Sequence, residues 1–475
     1  MVILAVCCMS LLIVGMDNTI VNVALPSIGH DLHASISGLQ WTVDAYVMVL
    51  ASLLMLSGSM GDRLGRRRTF QTGLVVFSVG SAACGLAPGL GWLVAFRMLQ
   101  AVGGSMVNPL AMSIIRNVFT DPRERAQAIG IWGAVVGISL GLGPVVGGAL
   151  VQSVGWRSIF WVNVPIGIAA IVLAARFVPE SRADHARRVD PVGQFLVIVV
   201  LASVTFAIIE GPGRGWSSPE IVALFVTAVV ALVALLLYEP RREEPLIELR
   251  FFHSVPFTGA TLIALLAFAG FSGFLFLNTL YLQQVQGRSA LAAGLLTLPI
   301  AGMTIVMAPL SGWMVGRRGT RLPLVVAGAA LTVSSLVLTG LATTTSVTLL
   351  IVAYLVFGLG FGLVNPPITN TAVSGMPPSQ AGVAAGVAST SRQVGQSLGV
   401  AVVGAAATSN LHGPIATGLA QASHAGWWIV AACSAGVIVL GVVSTSKRAL
   451  ATAEPLAALL EPEHDGGGAA AAGVA

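Results

Sequence analysis

Residues 58–68 read GSMGDRLGRRR, a short charged break between two apolar runs, 38–60 and 70–87. Each run is long enough to cross a bilayer as a helix. The glycines allow tight turns, and Arg63, Arg66, Arg67 and Arg68 suit an anionic membrane surface. Asp62 is an acid among bases, placed to pair with Arg63 or Arg66 or to sit at a helix N-terminus. Positive-inside bias explains the arginines. It does not explain the order Gly58, Gly61, Asp62, Arg63, Gly65, Arg66.

Outward from this break the same alternation repeats. The 475-residue chain is 56% hydrophobic and 9% charged, with mean hydropathy +0.89, far above a soluble domain. It reads as an all-α polytopic membrane protein. Fourteen spans are expected: 2–26, 38–60, 70–87, 91–115, 127–152, 159–178, 192–210, 220–238, 256–280, 291–314, 322–341, 347–371, 383–407 and 425–445. A signal peptide is not needed for 2–26, because the run is too long and no A-x-A site follows.

With the N-terminus inside, nineteen of the 24 basic residues fall in inside loops or the tail. Only Arg157, Arg214 and Arg288 fall outside, and Arg97 and Arg392 lie within spans. Both termini are therefore expected to be cytoplasmic. The net charge of +5 reads as arginine at the membrane surface rather than as a nucleic-acid footprint. Lys447 is the sole lysine, a skew that suggests a GC-rich bacterial source and hence its cytoplasmic membrane. The four cysteines all lie in apolar runs and read as core residues, neither disulfides nor a metal site. The tail from about Glu454 is rich in Ala and Gly and reads as disordered.

Three charges lie deep in apolar runs of the first part of the chain: Asp17, Asp44 and Arg97. A membrane-buried ionisable group is a functional-site hypothesis by default. Asp17 is placed about 13 Å inside the outer end of span one at helical rise. Asp44 and Arg97 are placed a few residues in from the outer ends of spans two and four. One shared layer is expected. Gln100, Gly104 and Asn108 continue an inward stripe from Arg97. The polar context of Asn18, Thr19 and Asn22 gives Asp17 a partly structural character. Asp44, followed by an apolar run, is the better candidate to carry a proton. In the second half, spans nine to fourteen hold no Asp or Glu. Their one charge is Arg392, on a stripe with Ser389, Gln396 and Gly399. It either binds an anionic group or caps neighbouring carbonyls. Asn278 and Asn365, with Asn370, are candidate cavity groups or interhelical hydrogen bonds.

The string GSMGDRLGRRR resembles the loop between the second and third helices of the major facilitator superfamily, where it gates the cytoplasmic side. GWMVGRRGTR (312–321) is a weaker copy of it in the second half, without the acid. MDNTIVNVALP (16–26), WTVDAYVMVLA (41–51), GLGPVVGG (141–148), WRSIFWVNVPIG (156–167), EPRREEPLIELRFF (239–252), YLQQVQGRSALAAGLLTLP (281–299) and TSRQVGQSLGVAV (390–402) together resemble its fourteen-helix drug/proton antiporter branch, over roughly residues 10–445. One departure is Ser139, where that branch has a glycine four residues before its Gly-Pro pair. Gly137, Gly141, Pro144 and Gly148 still share one face, with Gly143 and Gly147 beside them, either as the antiporter motif or as plain helix packing.

The resemblance implies two six-helix bundles (1–178 and 256–446), two inserted central helices (179–255) and a cytoplasmic tail (447–475). It implies a monomeric, proton-coupled exporter of drug-like molecules by alternating access, among membrane lipids. The alternative is export of an endogenous metabolite or lipid-like compound by the same machine. In the family, the span-four arginine is tied to proton transfer and an acid of span one or two to proton or cation binding. Extra acids mark related exporters of divalent cations, so the acid-free second half argues against a strongly cation-selective second site. No cofactor or metal is expected. Gly137-Ile-Ser-Leu-Gly141 matches a hydrolase elbow but lies mid-membrane, not at a strand-to-helix turn. A P-loop needs Gly-Lys, which the chain lacks. A sensor would need a cytoplasmic output domain, and none fits.

The topology is testable with single cysteines in a variant whose native four are serine. Cysteine at Ser217 is expected to react with an impermeant maleimide on intact cells, and cysteine at Arg68 only after permeabilisation. The reverse pattern overturns the orientation.

Overall fold

Short polar residues start the helices. Ser35, Asp121, Asp190, Ser218, Ser254, Ser289 and Ser346 each accept a hydrogen bond from an amide in the turn that follows. Such caps satisfy N–H groups that a helix N-terminus leaves free. In the computed structural model, residues 1–183, 189–242, 244–377 and 380–453 are described, with the side chains at 122 and 126 left aside. The tail from Glu454, and Arg187 and Arg188, lie outside them.

The described residues form seventeen α-helices and no strand. They are α1 (Val2–Asp31), α2 (Ile36–Leu64), α3 (Arg66–Gly85), α4 (Leu90–Val118), α5 (Pro122–Ser153), α6 (Ser158–Trp161), α7 (Asn163–Phe177), α8 (Pro191–Arg214), α9 (Pro219–Tyr238), α10 (Val255–Leu280), α11 (Ala290–Leu296), α12 (Leu298–Arg318), α13 (Arg321–Leu338), α14 (Val347–Val373), α15 (Ala381–Ser409), α16 (Ile415–Ser444) and α17 (Lys447–Leu450). Twelve stretches among them are long and apolar enough to cross a membrane by length and composition. That count does not reach the fourteen expected. The two remaining long helices, α3 and α15, span 20 and 29 residues and are less apolar than the rest.

Two groups of helices result. In the first, α1 packs on α5 and α7, α2 on α4, and α3 on α4 and α7. In the second, α10 packs on α15 and α16, α12 on α14, and α13 on α14 and α16. The groups meet where α2 touches α15 and where α5 touches α11 and α12. Between them, α8 lies against both α2 and α15, and α9 packs on α8. Gln194 of α8 donates to the Ser52 carbonyl at 2.6 Å, and Trp41 of α2 donates to Glu210 of α8 at 2.8 Å. These polar anchors fasten the inserted pair to the first group.

Close backbone approach replaces hydrophobic drive between membrane helices. A Cβ on Gly103 of α4 would lie 2.2 Å from the Phe77 amide nitrogen of α3. Gly130 of α5 has nothing within 4 Å. Gly103→Ala is therefore expected to destabilise the protein by about 1–3 kcal/mol through overpacking. Gly130→Ala should be neutral or stabilising, since alanine is better than glycine in a helix by roughly 1 kcal/mol. Thermal unfolding in detergent separates the two; equal midpoints contradict the packing argument.

Candidate functional site

Arg97 is 1% exposed and Asp17 is fully buried. Arg97 Nη1 donates to Asp17 Oδ2 at 2.5 Å and to Gln100 Oε1 at 2.7 Å. Its Nε donates to the Thr42 carbonyl at 3.2 Å, and its guanidinium lies 4.2 Å from the centre of the Tyr46 ring. The second oxygen of Asp17 accepts from Gln100 Nε2 at 2.9 Å and Asn163 Nδ2 at 3.0 Å. Asn163 also donates to Ser81 Oγ at 3.1 Å. The network ties together α1, α2, α3, α4 and α7. Arg97 and Gln100 share a face because they are three residues apart on one helix. Asn163 stands out in sequence only as a polar residue in the apolar run after Trp161, and reading the sequence alone assigns it no role.

Asp44 does not join this pair, so the expected shared layer of three charges divides. Thr42 and Tyr46 face Arg97, and at helical pitch Asp44 points the opposite way. There it is fully buried against α15, opposite Ser397. Ser397 Oγ is the polar neighbour of the carboxyl, though no hydrogen bond of good geometry joins the two. One turn away on the same face, Gln40 Nε2 donates to the Val400 and Ala401 carbonyls of α15, at 3.1 and 2.9 Å. Gly404 leaves room for it: a Cβ there would lie 2.4 Å from Gln40 Nε2. The depth of Asp17 also differs from expectation. Helix α1 continues through Pro26 to Asp31, which puts Asp17 near the middle of the helix.

The 58–68 segment forms the end of α2, a turn at Gly65 and the start of α3. Gly65 has φ +113°, a conformation that favours glycine. Asp62 pairs with Arg66, at 3.1 Å from Nε and 2.9 Å from Nη2. The acid at the N-terminus of α3 is Glu180, which accepts from the Arg67 and Arg68 amides at 3.1 and 3.3 Å. Backbone bonds from Arg66 N to Ser181 O and from Ala183 N to Asp62 O complete the clamp. Nothing in the sequence at Glu180 links it to a segment more than a hundred residues earlier. Gly61 meets Leu110, and Gly58 faces open space. Arg63 follows Asp62 in the last turn of α2.

Helix α5 has two small-residue faces. Gly143 and Gly147 lie on Thr19 and Ile20 of α1. Gly137, Gly141 and Gly148 lie on Ile305, Ala301 and Ala290, in the second group of helices. Pro144 joins that contact, since a Cβ on Gly294 would lie 2.1 Å from its carbonyl. Ser139, at the departure from the family pattern, meets Gly15 of α1. The close glycine contacts between the groups run from the middle of α5 to its end away from the 58–68 turn, where Gln283 Nε2 also donates to the Val23 carbonyl at 2.8 Å. Toward the turn, Gly58, Gly130, Gly133, Gly312, Gly316, Gly382 and Gly386 have nothing within 4 Å. Nearer the turn the groups still touch, where Met55 of α2 packs on the cluster that holds Ala384, Val387 and Ala388 of α15.

The candidate cavity groups are scattered. Gln100 belongs to the Asp17 network, and Asn108 keeps an unpartnered Oδ1. Asn278 accepts from Tyr354 OH, an interhelical bond within the second group. Asn365 is half-buried on α14, and the Gln396 carbonyl accepts from Ser272 Oγ at 2.7 Å. Arg392 reaches hydroxyls on α14 and α15. No cluster of three metal-ligating side chains is found among the described residues.

The profile described as "Major Facilitator Superfamily" matches residues 7–400. The chain is 39% identical over 395 residues to the "Tetracenomycin C resistance and export protein" of Streptomyces glaucescens, covering 83% of this chain and 73% of that one. It is 36% identical over 396 residues to the "Multidrug resistance protein Stp" of Mycobacterium tuberculosis, covering 83% and 74%. In structure it matches a D-xylose–proton symporter with TM-score 0.66 at 14% identity, over 93% of this chain and 96% of that one. That likeness bears on the fold alone.

The Glu180 clamp has a direct test. Glu180→Gln removes the anion from the N-terminus of α3, worth about 0.3–1 kcal/mol. Trypsin is expected to cut the Arg66–Arg68 segment faster in this variant. An unchanged rate means the carboxylate does not hold the turn.

Proposed function

The chain belongs to the major facilitator superfamily, whose members are transporters and not enzymes, and on that premise we propose that it is a proton-coupled exporter of lipophilic, drug-like small molecules. It works by alternating access in the bacterial cytoplasmic membrane, as a monomer with both termini cytoplasmic. That relatives are named as an antibiotic export protein and a multidrug resistance protein supports a small organic cargo. Fourteen spans are proposed: α3 returns from the Gly65 turn directly behind α2 and packs along α4, so it must cross with them. The units are two six-helix bundles, 1–178 and 256–446, with the inserted pair within 179–255 and a tail from 447. With the arginine-rich 58–68 turn inside, the half that carries the close glycine contacts faces out, and the cargo cleft is proposed to open toward the cytoplasm.

The observation that carries the coupling is the contrast between the two aspartates. Asp17 has a cation and two amide donors, so its ionised form is compensated where it lies. Asp44 is buried in the α2–α15 interface with the Ser397 hydroxyl facing it and no cation. An unpaired carboxylate there would be strongly unfavourable, so a proton on Asp44 is what lets the outer end close. When the outer end parts, water reaches Asp44 and can load it. When the cytoplasmic cleft takes up cargo, Asp44 releases its proton to the cytoplasmic side, and the carboxylate left behind makes the closed interface unfavourable and drives the return. Asp17 and Arg97 hold the bundle that presents Asp44.

Transport in inverted vesicles under an imposed proton gradient, with cationic, neutral and anionic lipophilic compounds, tests this. Asp44→Asn is expected to abolish gradient-driven transport while retaining cargo binding. Asp17→Asn should weaken folding and transport together. Arg97→Ala, which leaves Asp17 alone, is expected to cost about 3–5 kcal/mol. The double change Asp17→Asn with Arg97→Gln should recover part of that stability. Normal gradient-driven efflux in Asp44→Asn contradicts the coupling.

A further inference from the structure

The second half of the chain is electrostatically one-sided. Between Glu248 and Glu454 there is no Asp or Glu. Within its spans it carries one cation, Arg392 on α15. Arg392 Nη1 donates to Ser389 Oγ at 3.1 Å and Nη2 to Thr369 Oγ1 at 2.6 Å. Nε is buried without a partner. No ion pair or carbonyl bond holds this guanidinium among the described residues, so the carbonyl-capping alternative has no support. Its hydroxyl partners orient the group and leave its charge uncompensated.

The setting is apolar and aromatic on one side and open on the other. The guanidinium carbon lies 6.0 Å from the centre of the Phe268 ring. Phe268 packs on Phe361 at 5.3 Å, and Phe361 stacks on Phe271 at 4.1 Å and 14°. Along α14, Asn365 is half-buried and Thr369 and Asn370 are exposed, in the C-terminal third of the helix. Arg392 thus sits between a buried aromatic stack and exposed polar positions of α14. A desolvated cation gains most from an anion that can take its planar fork. In the first half, the Arg97 charge is already taken by Asp17.

We propose that Arg392 is a ligand-binding residue of the cleft and that it selects compounds carrying a carboxylate or phenolate on an aromatic body. This deepens the export reading by naming a substrate class, and its test is a binding measurement that needs no transport. Purified protein in detergent is titrated calorimetrically with 2-naphthoate, 2-naphthamide and 2-naphthylmethylammonium, which share one ring system and differ in charge. The naphthoate is expected to bind about tenfold more tightly than the amide, the worth of one charge-assisted bond, and the ammonium most weakly. Arg392→Gln should erase the acid–amide difference. Arg392→Lys, which keeps the charge without the fork, should keep part of it. Unliganded thermal midpoints of the variants report folding, and the wild-type comparison stands without any variant. Equal affinity for naphthoate and naphthamide in the wild type, or an undiminished preference in folded Arg392→Gln, overturns the proposal. Efflux with no anion preference counts against Arg392 alone, whereas an intact anion preference with no efflux of any compound counts against export.

Discussion

A guanidinium sealed inside a membrane bundle must be matched atom by atom, and much of the first half is arranged around that demand. Arg97 has Asp17 as its counter-ion, Gln100 and the Thr42 carbonyl as acceptors, and the Tyr46 ring beneath it. Asn163 and Gln100 then satisfy the other oxygen of Asp17. Removing one member of such a set leaves a buried charge alone, which is worse than never having had the pair. The same demand fixes the facing of α2. With Thr42 and Tyr46 turned to Arg97, Gln40 and Asp44 are turned to α15.

That facing connects the static network to motion. Gln40 grips the α15 backbone, and Asp44 lies beside that grip with the Ser397 hydroxyl facing it and no cation. Close glycine contacts between the groups lie along α5, on Ile305, Ala301 and Ala290. Interfaces of this kind have two packed arrangements rather than a continuum, and a small bias selects between them. In the proposed cycle the charge state of one buried carboxyl supplies that bias. The inserted α8 lies across both groups and is anchored by Trp41 and Gln194, so it must accommodate any relative movement of α2 and α15.

Much of this was legible in the sequence. Hydropathy and arginine placement located the helices, because a bilayer forces long apolar runs and leaves basic residues at one surface. Helix α16 begins at Ile415, ten residues before the expected start of its span, because Gln421, Ser423 and His424 dilute the apolar signal while the helix continues through them. The pairing of Asp17 with Arg97 was foreseeable from buried opposite charges. The separation of Asp44 was not, because depth along a span says nothing of azimuth until the facing of the helix is fixed. Asn163 and Glu180 were missed for a related reason. Their roles depend on partners distant in sequence, and one polar residue near a helix end carries no signal of its partner. The two small-residue faces of α5 were only partly legible: periodicity groups Gly137, Gly141 and Gly148, but only the structure shows that Gly143 and Gly147 serve α1.

The central claim is that Asp44 carries a proton while the outer end is sealed. Infrared spectroscopy of the purified protein at neutral pH measures this directly, through the carbonyl stretch of a protonated carboxylic acid shielded from water. The account predicts that the wild-type band loses a component in Asp44→Asn and keeps that component in Asp17→Asn. A band that survives in Asp44→Asn and disappears in Asp17→Asn would contradict it.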